Sequence, residues 1–130
     1  MDIAMVHQYL SGESYWAKGI SYALVDQSLT HSYCVGAFVN GQQVGFGRVI
    51  TDYSTFGWLA DFLVLPAFQG NGVAKKILSH ILEQPWSKGL RRKMLTTRDA
   101  HELYRQFQFT EPAVPGSIME IFRPGMYLQQ

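Results

Sequence analysis

Two periodicities organise the chain. Ser32 to Val39 and Val44 to Thr51 are rich in aromatic and β-branched residues, and Asn40-Gly41 lies between them. That pair predicts a hairpin, because both central positions of a type I′ turn need positive φ. Thr55 to Leu65 is a nearly continuous apolar run, the pattern of a strand covered on both faces. One charge, Asp61, interrupts it and Pro66 closes it. After a loop, Val73, Ala74, Ile77, Leu78, Ile81 and Leu82 form the apolar stripe of a helix. Pro85 stops that helix at Gln84. Arg92 to Thr97 reads as a short strand, and Ile118 to Arg123 as a last one. Between them Ala100, Leu103, Tyr104 and Phe107 share a helix face, with Asp99 and Glu102 at capping-box spacing. Towards the N-terminus, residues 3–10 are expected as a short strand. Ser14 to Ser28 is expected as a helix broken near Gly19, with Tyr15, Trp16, Ile20, Ala23 and Leu24 at helical spacing. The order predicts one α/β domain over residues 1–130 with a mixed sheet. Its strand–helix–strand unit from Thr55 to Thr97 is expected as a right-handed parallel crossover.

Composition narrows the class. The 130 residues are 47% hydrophobic and 16% charged, a balance that excludes a disordered chain. The net charge of +1 gives no electrostatic case for nucleic acid or an anionic membrane. One cysteine, Cys34, excludes an internal disulfide framework, and the four histidines never fall at metal-ligand spacing, so no metal is expected. No basic leader precedes an apolar run and no 18-residue apolar stretch occurs. A cytoplasmic protein is the expectation.

The chemical signal is QGNGVAKK, Gln69 to Lys76, between a buried strand and an amphipathic helix. A helix N-terminus presents unpaired N–H groups and about half a positive charge. Gly70 and Gly72 remove side chains where an anion would approach, and Lys75 and Lys76 add charge. The loop is a phosphate cradle of no great specificity by itself. A Walker loop would need Lys-Ser/Thr after its last glycine, which is absent. A dinucleotide fingerprint would need a small residue at Lys75 and an acid further on, where Arg91-Arg92-Lys93 lies instead. An NADP-binding fragment therefore fits poorly.

Gln69-x-x-Gly72-x-Ala74 resembles the acyl-CoA signature of the GNAT N-acetyltransferase superfamily. Val64-Leu65-Pro66 is similar to the Val-x-Pro that ends its fourth strand. Ala100 to Phe109 is similar to its helix carrying Leu-Tyr and ending in Gly-Phe, with Gln108 in place of that glycine. The resemblance covers residues 32–123. It implies an α/β (α+β) fold with a mixed, mostly antiparallel sheet of about six or seven strands flanked by about four helices.

The resemblance also implies the chemistry: acetyl-CoA as cosubstrate and direct acetyl transfer to a primary amine, of a small molecule first and a peptide second. The same fold serving as a non-catalytic acyl-CoA sensor is the rival. CoA pyrophosphate would rest on the backbone of Gln69, Gly70, Asn71, Gly72, Val73 and Ala74, beside Lys75. The pantetheine arm would pair with Phe62, Leu63 and Val64 like an added strand and pass Thr97. Tyr104 would be the acid for the leaving thiolate; the plain alternative is a packed core tyrosine. Asp61 would be the base through water, and a carboxylate in an apolar strand needs a partner or an opening to water in any case. Tyr15, Trp16, Tyr53 and Arg98 are candidates for the acceptor pocket; core anchoring, an Asx turn at Asp52-Tyr53 and helix-start solvation are the plain alternatives. A homodimer, frequent in the family, is a further expectation.

Overall fold

The computed structural model describes residues 1–129. Its central sheet has the strand order β1 (Tyr33–Val39), β2 (Gln42–Thr51), β3 (Phe56–Val64) and β4 (Arg92–Leu95). The first three form an antiparallel meander, and β4 joins β3 in parallel. Asn40 (φ 50°) and Gly41 (φ 81°) make the expected hairpin turn.

Helices cover both faces. α1 (Ile3–Gly12) and α2 (Tyr22–Thr30) lie on one side, where Val6, Leu10, Ile20 and Val25 pack against Phe46 and Leu63. α3 (Val73–Leu82) and α5 (His101–Arg105) lie on the other, where Ile77, Leu78, Ile81 and Tyr104 pack against Val49 and Leu59. A short α4 (Pro85–Lys88) follows α3, so Pro85 begins a turn of helix besides ending one. Gly47 lets α3 sit close: a Cβ there would come within 2.6 Å of Ile77.

Several expectations are corrected. The sheet has four strands among the described residues, not six or seven, and five α-helices flank it. Residues 3–10 are helical. Ile3, Val6 and Leu10 stand at i, i+3 and i+7, and the Asp2 carboxylate caps the helix by accepting from Met5 N–H at 3.0 Å. The helix foreseen from Ser14 starts only at Tyr22, after a turn segment that ends at Gly19 (φ 86°). Asp99 caps nothing: Ala100 is the N-cap of α5, and Thr97 Oγ1 accepts from the Ala100 N–H. Ile118 to Arg123 joins no sheet. Its strand-like pattern pairs with no strand among the described residues.

Gln108 ends the α5 segment at φ 72°, the left-handed conformation that suits glycine. A non-glycine residue there costs about 1 kcal/mol. Gln108→Gly is expected to raise the stability by roughly 0.5–1 kcal/mol in urea unfolding, with the slope unchanged. A destabilised variant would show that Gln108 makes compensating contacts.

Candidate active site

The sheet opens where β3 and β4 part. Their ladder runs from Phe56↔Arg92 to Leu59↔Leu95 and stops. Immediately beyond it Ala60 is an extra residue against β2, since Arg48 pairs with Asp61 and Val49 with Leu59. Such a bulge bends a strand and flips the side-chain alternation. Leu59 therefore faces α3, whereas Asp61 and Leu63 face α1 and α2. The rest of β3 carries no strand on its β4 side. Leu65 N–H donates to Val44 O at 2.8 Å, so alternation turns the polar groups of Phe62 and Val64 away from β2, into the opening. Gln69 Nε2 takes one of them, donating to Val64 O at 3.0 Å.

The glycine loop stands at the end of this opening. Gly72 is the N-cap of α3 at φ 78° and supplies no side chain to its first N–H groups. Gly70 (φ 81°) and Gly72 both have free space where a Cβ would project. The loop thus offers uncapped donors to an approaching anion.

A cavity of about 670 Å³ runs through the opening. Trp16 and Asp61 line it from the α1–α2 side, and Phe62, Thr97 and Tyr104 from the other. Asp61, 6% exposed, is held at both oxygens. Arg48 Nε donates to Oδ2 at 2.8 Å and Trp16 Nε1 to Oδ1 at 2.7 Å. Arg48 Nη1 also donates to Ser32 Oγ at 3.0 Å, which donates to Ser28 O at 2.7 Å. The buried carboxylate is therefore paired and oriented, while each oxygen keeps a further lone pair. Tyr104 is buried against Phe62 and Phe109 with edge-to-face ring contacts, and its hydroxyl makes no hydrogen bond among the described residues. Burial pushes the phenol up to about 12, with Tyr15 and Asp99 adding to the effect.

The chain matches the model of the acetyltransferase (GNAT) family over residues 3–109. It belongs to that family. A Gibberella zeae protein named only as an acetyltransferase is 34% identical over 125 residues, covering 80% of this chain and 70% of its own length. A crystallised GNAT-family protein of Xanthomonas campestris is 46% identical, covers 98% of this chain and 89% of its own, and superposes with a TM-score of 0.95. An Elizabethkingia anophelis GNAT acetyltransferase crystallised with acetyl-CoA shares the fold at a TM-score of 0.60 and 19% identity, covering 81% and 75% of the two chains.

On this GNAT frame most of the sequence-predicted residues converge. Tyr15, Trp16, Asp61, Phe62, Thr97 and Tyr104 line one cavity. Val64 lies beside the opening and is bonded by Gln69, whose loop to Ala74 leads into α3 with Lys75 exposed; none of these lines the cavity itself, and Leu63 is 3% exposed and belongs to the core. Two residues sit elsewhere. Tyr53 stacks edge-on with Trp86, 5.0 Å between ring centroids, in the β2–β3 turn. Asp52 organises that turn by accepting from Thr55 Oγ1 and from the N–H groups of Ser54, Thr55 and Phe56, which holds its carboxyl well below the usual range. Arg98 caps the outside of Tyr15, its guanidinium 3.8 Å above the ring, while its N–H donates to the Tyr15 hydroxyl at 3.1 Å. Arg48, His31 and Trp58 line the cavity without having been foreseen. Arg48 was findable. It is the lone charge in its apolar strand, as Asp61 is in the next, and antiparallel neighbours of that kind pair.

Removing one partner of a buried ion pair leaves an uncompensated charge. Arg48→Met should therefore destabilise the fold by about 3–5 kcal/mol in chemical denaturation. Arg48→Met with Asp61→Leu should recover most of that loss. An additive double variant would mean that the two residues act separately.

Proposed function

We propose that this GNAT protein is a cytoplasmic, acetyl-CoA-dependent N-acetyltransferase that acetylates the primary amine of a small molecule. The observation that carries the reading is the strand-wide opening beside Phe62 and Val64, with an uncapped helix N-terminus at one end and the unpartnered Tyr104 phenol on its wall. Acetyl-CoA fits these residues: the two amides of its pantetheine arm and its phosphate-bearing end match unpaired backbone groups and a glycine cradle. When bound, it supplies an acyl group activated as a thioester.

Each residue then has a task. The N–H groups of Gln69 to Ala74 hold the pyrophosphate, and the backbone of Phe62 and Val64 pairs with the pantetheine amides. The Val64 N–H lies on the open side of β3 and stabilises negative charge developing on the acyl oxygen, a contribution of roughly 3 kcal/mol when well aimed. An alkylammonium has a pKa near ~10 and must lose a proton before attack. Asp61, fixed by Arg48 and Trp16, receives that proton through water at its remaining lone pairs. Tyr104 stays protonated at neutral pH and donates to the departing sulfur. Its proton affinity exceeds that of a thiolate near ~8.5, so the phenol acts as a hydrogen-bond donor to the sulfur; the ammonium proton stays with Asp61, and the second proton that the nitrogen loses as the amide forms goes to the leaving thiolate. The cavity volume, with its walls of Trp16, Trp58 and Tyr15, suits a small-molecule acceptor rather than a folded surface.

Calorimetric titration with acetyl-CoA, with NADPH as control, tests the cofactor. Saturable binding of acetyl-CoA alone is expected, and its absence would end the proposal. Gly72→Ala should weaken the binding about tenfold or more, because a Cβ enters the cradle and the φ is strained. With an accepting amine from a turnover screen, Tyr104→Phe should keep acetyl-CoA affinity and lose about 10²-fold in kcat. Tight binding with no turnover across the screen would favour the acyl-CoA sensor instead.

A further inference from the structure

The cavity is built almost wholly from the family-matched part of the chain. Among the described residues that border it, all but one lie between Leu10 and Tyr104. The exception is Tyr127, which lies outside residues 3–109. From Thr110 to Pro124 the chain forms no strand and a single 3-10 turn, Pro115–Ser117, and Met119, Ile121 and Phe122 stand exposed. That stretch carries the chain across without holding its end in place. At Gly125 (φ 64°) the chain turns into a last 3-10 turn, Met126–Gln129, and returns to the core.

Two contacts seat this turn. The Tyr127 side chain packs against the core cluster that contains Leu10, Ala17 and Ile20. The Tyr127 carbonyl oxygen and the Leu128 side chain close over Gly19, where a Cβ would come within 3.0 Å of each. Gly19 also stands at φ 86°, so close approach and backbone conformation both exclude a side chain there. Leu10, Ala17 and Ile20 themselves border the cavity, as does Leu24, and Tyr127 completes this apolar part of its wall.

We propose that Tyr127 determines which amines this enzyme accepts: its ring forms part of the apolar wall that receives the non-reacting body of the acceptor, and it limits how far that body extends. The inference rests on the reading of this cavity as the acceptor's. The reacting nitrogen belongs at Asp61, so the rest of the molecule meets Leu10, Ile20, Leu24 and Tyr127. An acceptor suited to that wall carries one amine on an apolar chain or ring, because a second charge would be buried there without a partner. The limit is set by one side chain of the C-terminal turn and not by the sheet, so it moves without disturbing the glycine loop or β3.

The test is acetyl transfer to unbranched alkylamines from ethylamine to decylamine at saturating acetyl-CoA, with spermidine as the multiply charged control. Each methylene that fits an apolar pocket is worth about tenfold or more in kcat/KM, so the wild type should climb with length to a cut-off and then fall. Tyr127→Ala should move the cut-off to longer amines. The first amine that the wild type rejects should gain about tenfold or more in kcat/KM, mainly through KM. Acetyl-CoA affinity by calorimetry should stay as in the wild type. Tyr127→Phe should keep the original cut-off, and Gly19→Ala, which lifts the turn from its seat, should shift it as Tyr127→Ala does. A uniform loss along the series in Tyr127→Ala would reveal a residue that only supports the fold and would overturn the proposal. So would an unchanged cut-off, or spermidine outrunning the monoamines. A wild type that fails to bind acetyl-CoA, or binds it and turns over no amine, would remove the acceptor reading first and this inference with it.

Discussion

The parting of β3 and β4 is the constraint on which the site rests. A parallel pair that continued along β3 would satisfy its backbone and close the sheet. Here the ladder ends after Leu59↔Leu95, and the Ala60 bulge turns the remaining residues of β3 off the line of β4. A strand in the middle of a domain is then left with free N–H and C=O groups on one side. Such groups are costly when buried and unpaired, and inexpensive when a cleft lets water or a ligand reach them. Close packing of α3 over Gly45 and Gly47 brings the helix N-terminus to the end of the same cleft. Backbone geometry, rather than any particular side chain, makes this a place for an extended molecule with an anionic end.

The side chains then divide the work by face. The bulge lets Asp61 turn towards α1 and α2 while Leu59 stays in the opposite core. Arg48, Trp16, Ser32 and Asp61 form one connected set that joins β2, β3, the segment before α2 and the connection from α2 to β1. That set fixes the wall of the cavity on the α1–α2 side. On the other side Tyr104 is held by apolar packing and by edge-to-face contacts with Phe62 and Phe109, and its hydroxyl is uncommitted among the described residues. A paired carboxylate faces a free phenol across one opening.

Features written in local chemistry were legible in the sequence. Asn40-Gly41 dictates its turn within two residues, the stripe of α3 dictates its buried face, and Gly70 and Gly72 announce a loop that side chains must avoid. The acyl-CoA signature is local in the same way: it marks the glycine loop that leads into the N-terminus of α3. Residues 3–10 were misread because a few mixed positions satisfy two periods, and the cap at Asp2 decided for the helix. The partnership of Trp16 with Asp61 spans 45 positions and depends on how the segment before α2 folds over the sheet, which no local pattern encodes. Tyr53 was credited to the pocket from its neighbourhood in sequence, while its ring is drawn to Trp86 on the opposite side. Ile118 to Arg123 has the composition of a strand, but a strand needs an edge to pair with, and pairing is not a local property.

The shortness of the β3–β4 ladder has a consequence for how the molecule opens. The meander β1–β2–β3 is joined by long antiparallel ladders between chain neighbours, whereas β4 is tied by four pairs to a strand more than thirty residues away. Local unfolding takes the least-held element first. Peeling of β4 with α5 would widen the cleft and withdraw Tyr104 while leaving Arg48 and Asp61 in place. A ligand that bridges β3 to β4 would act as the missing rungs of the sheet and hold this edge strand in place.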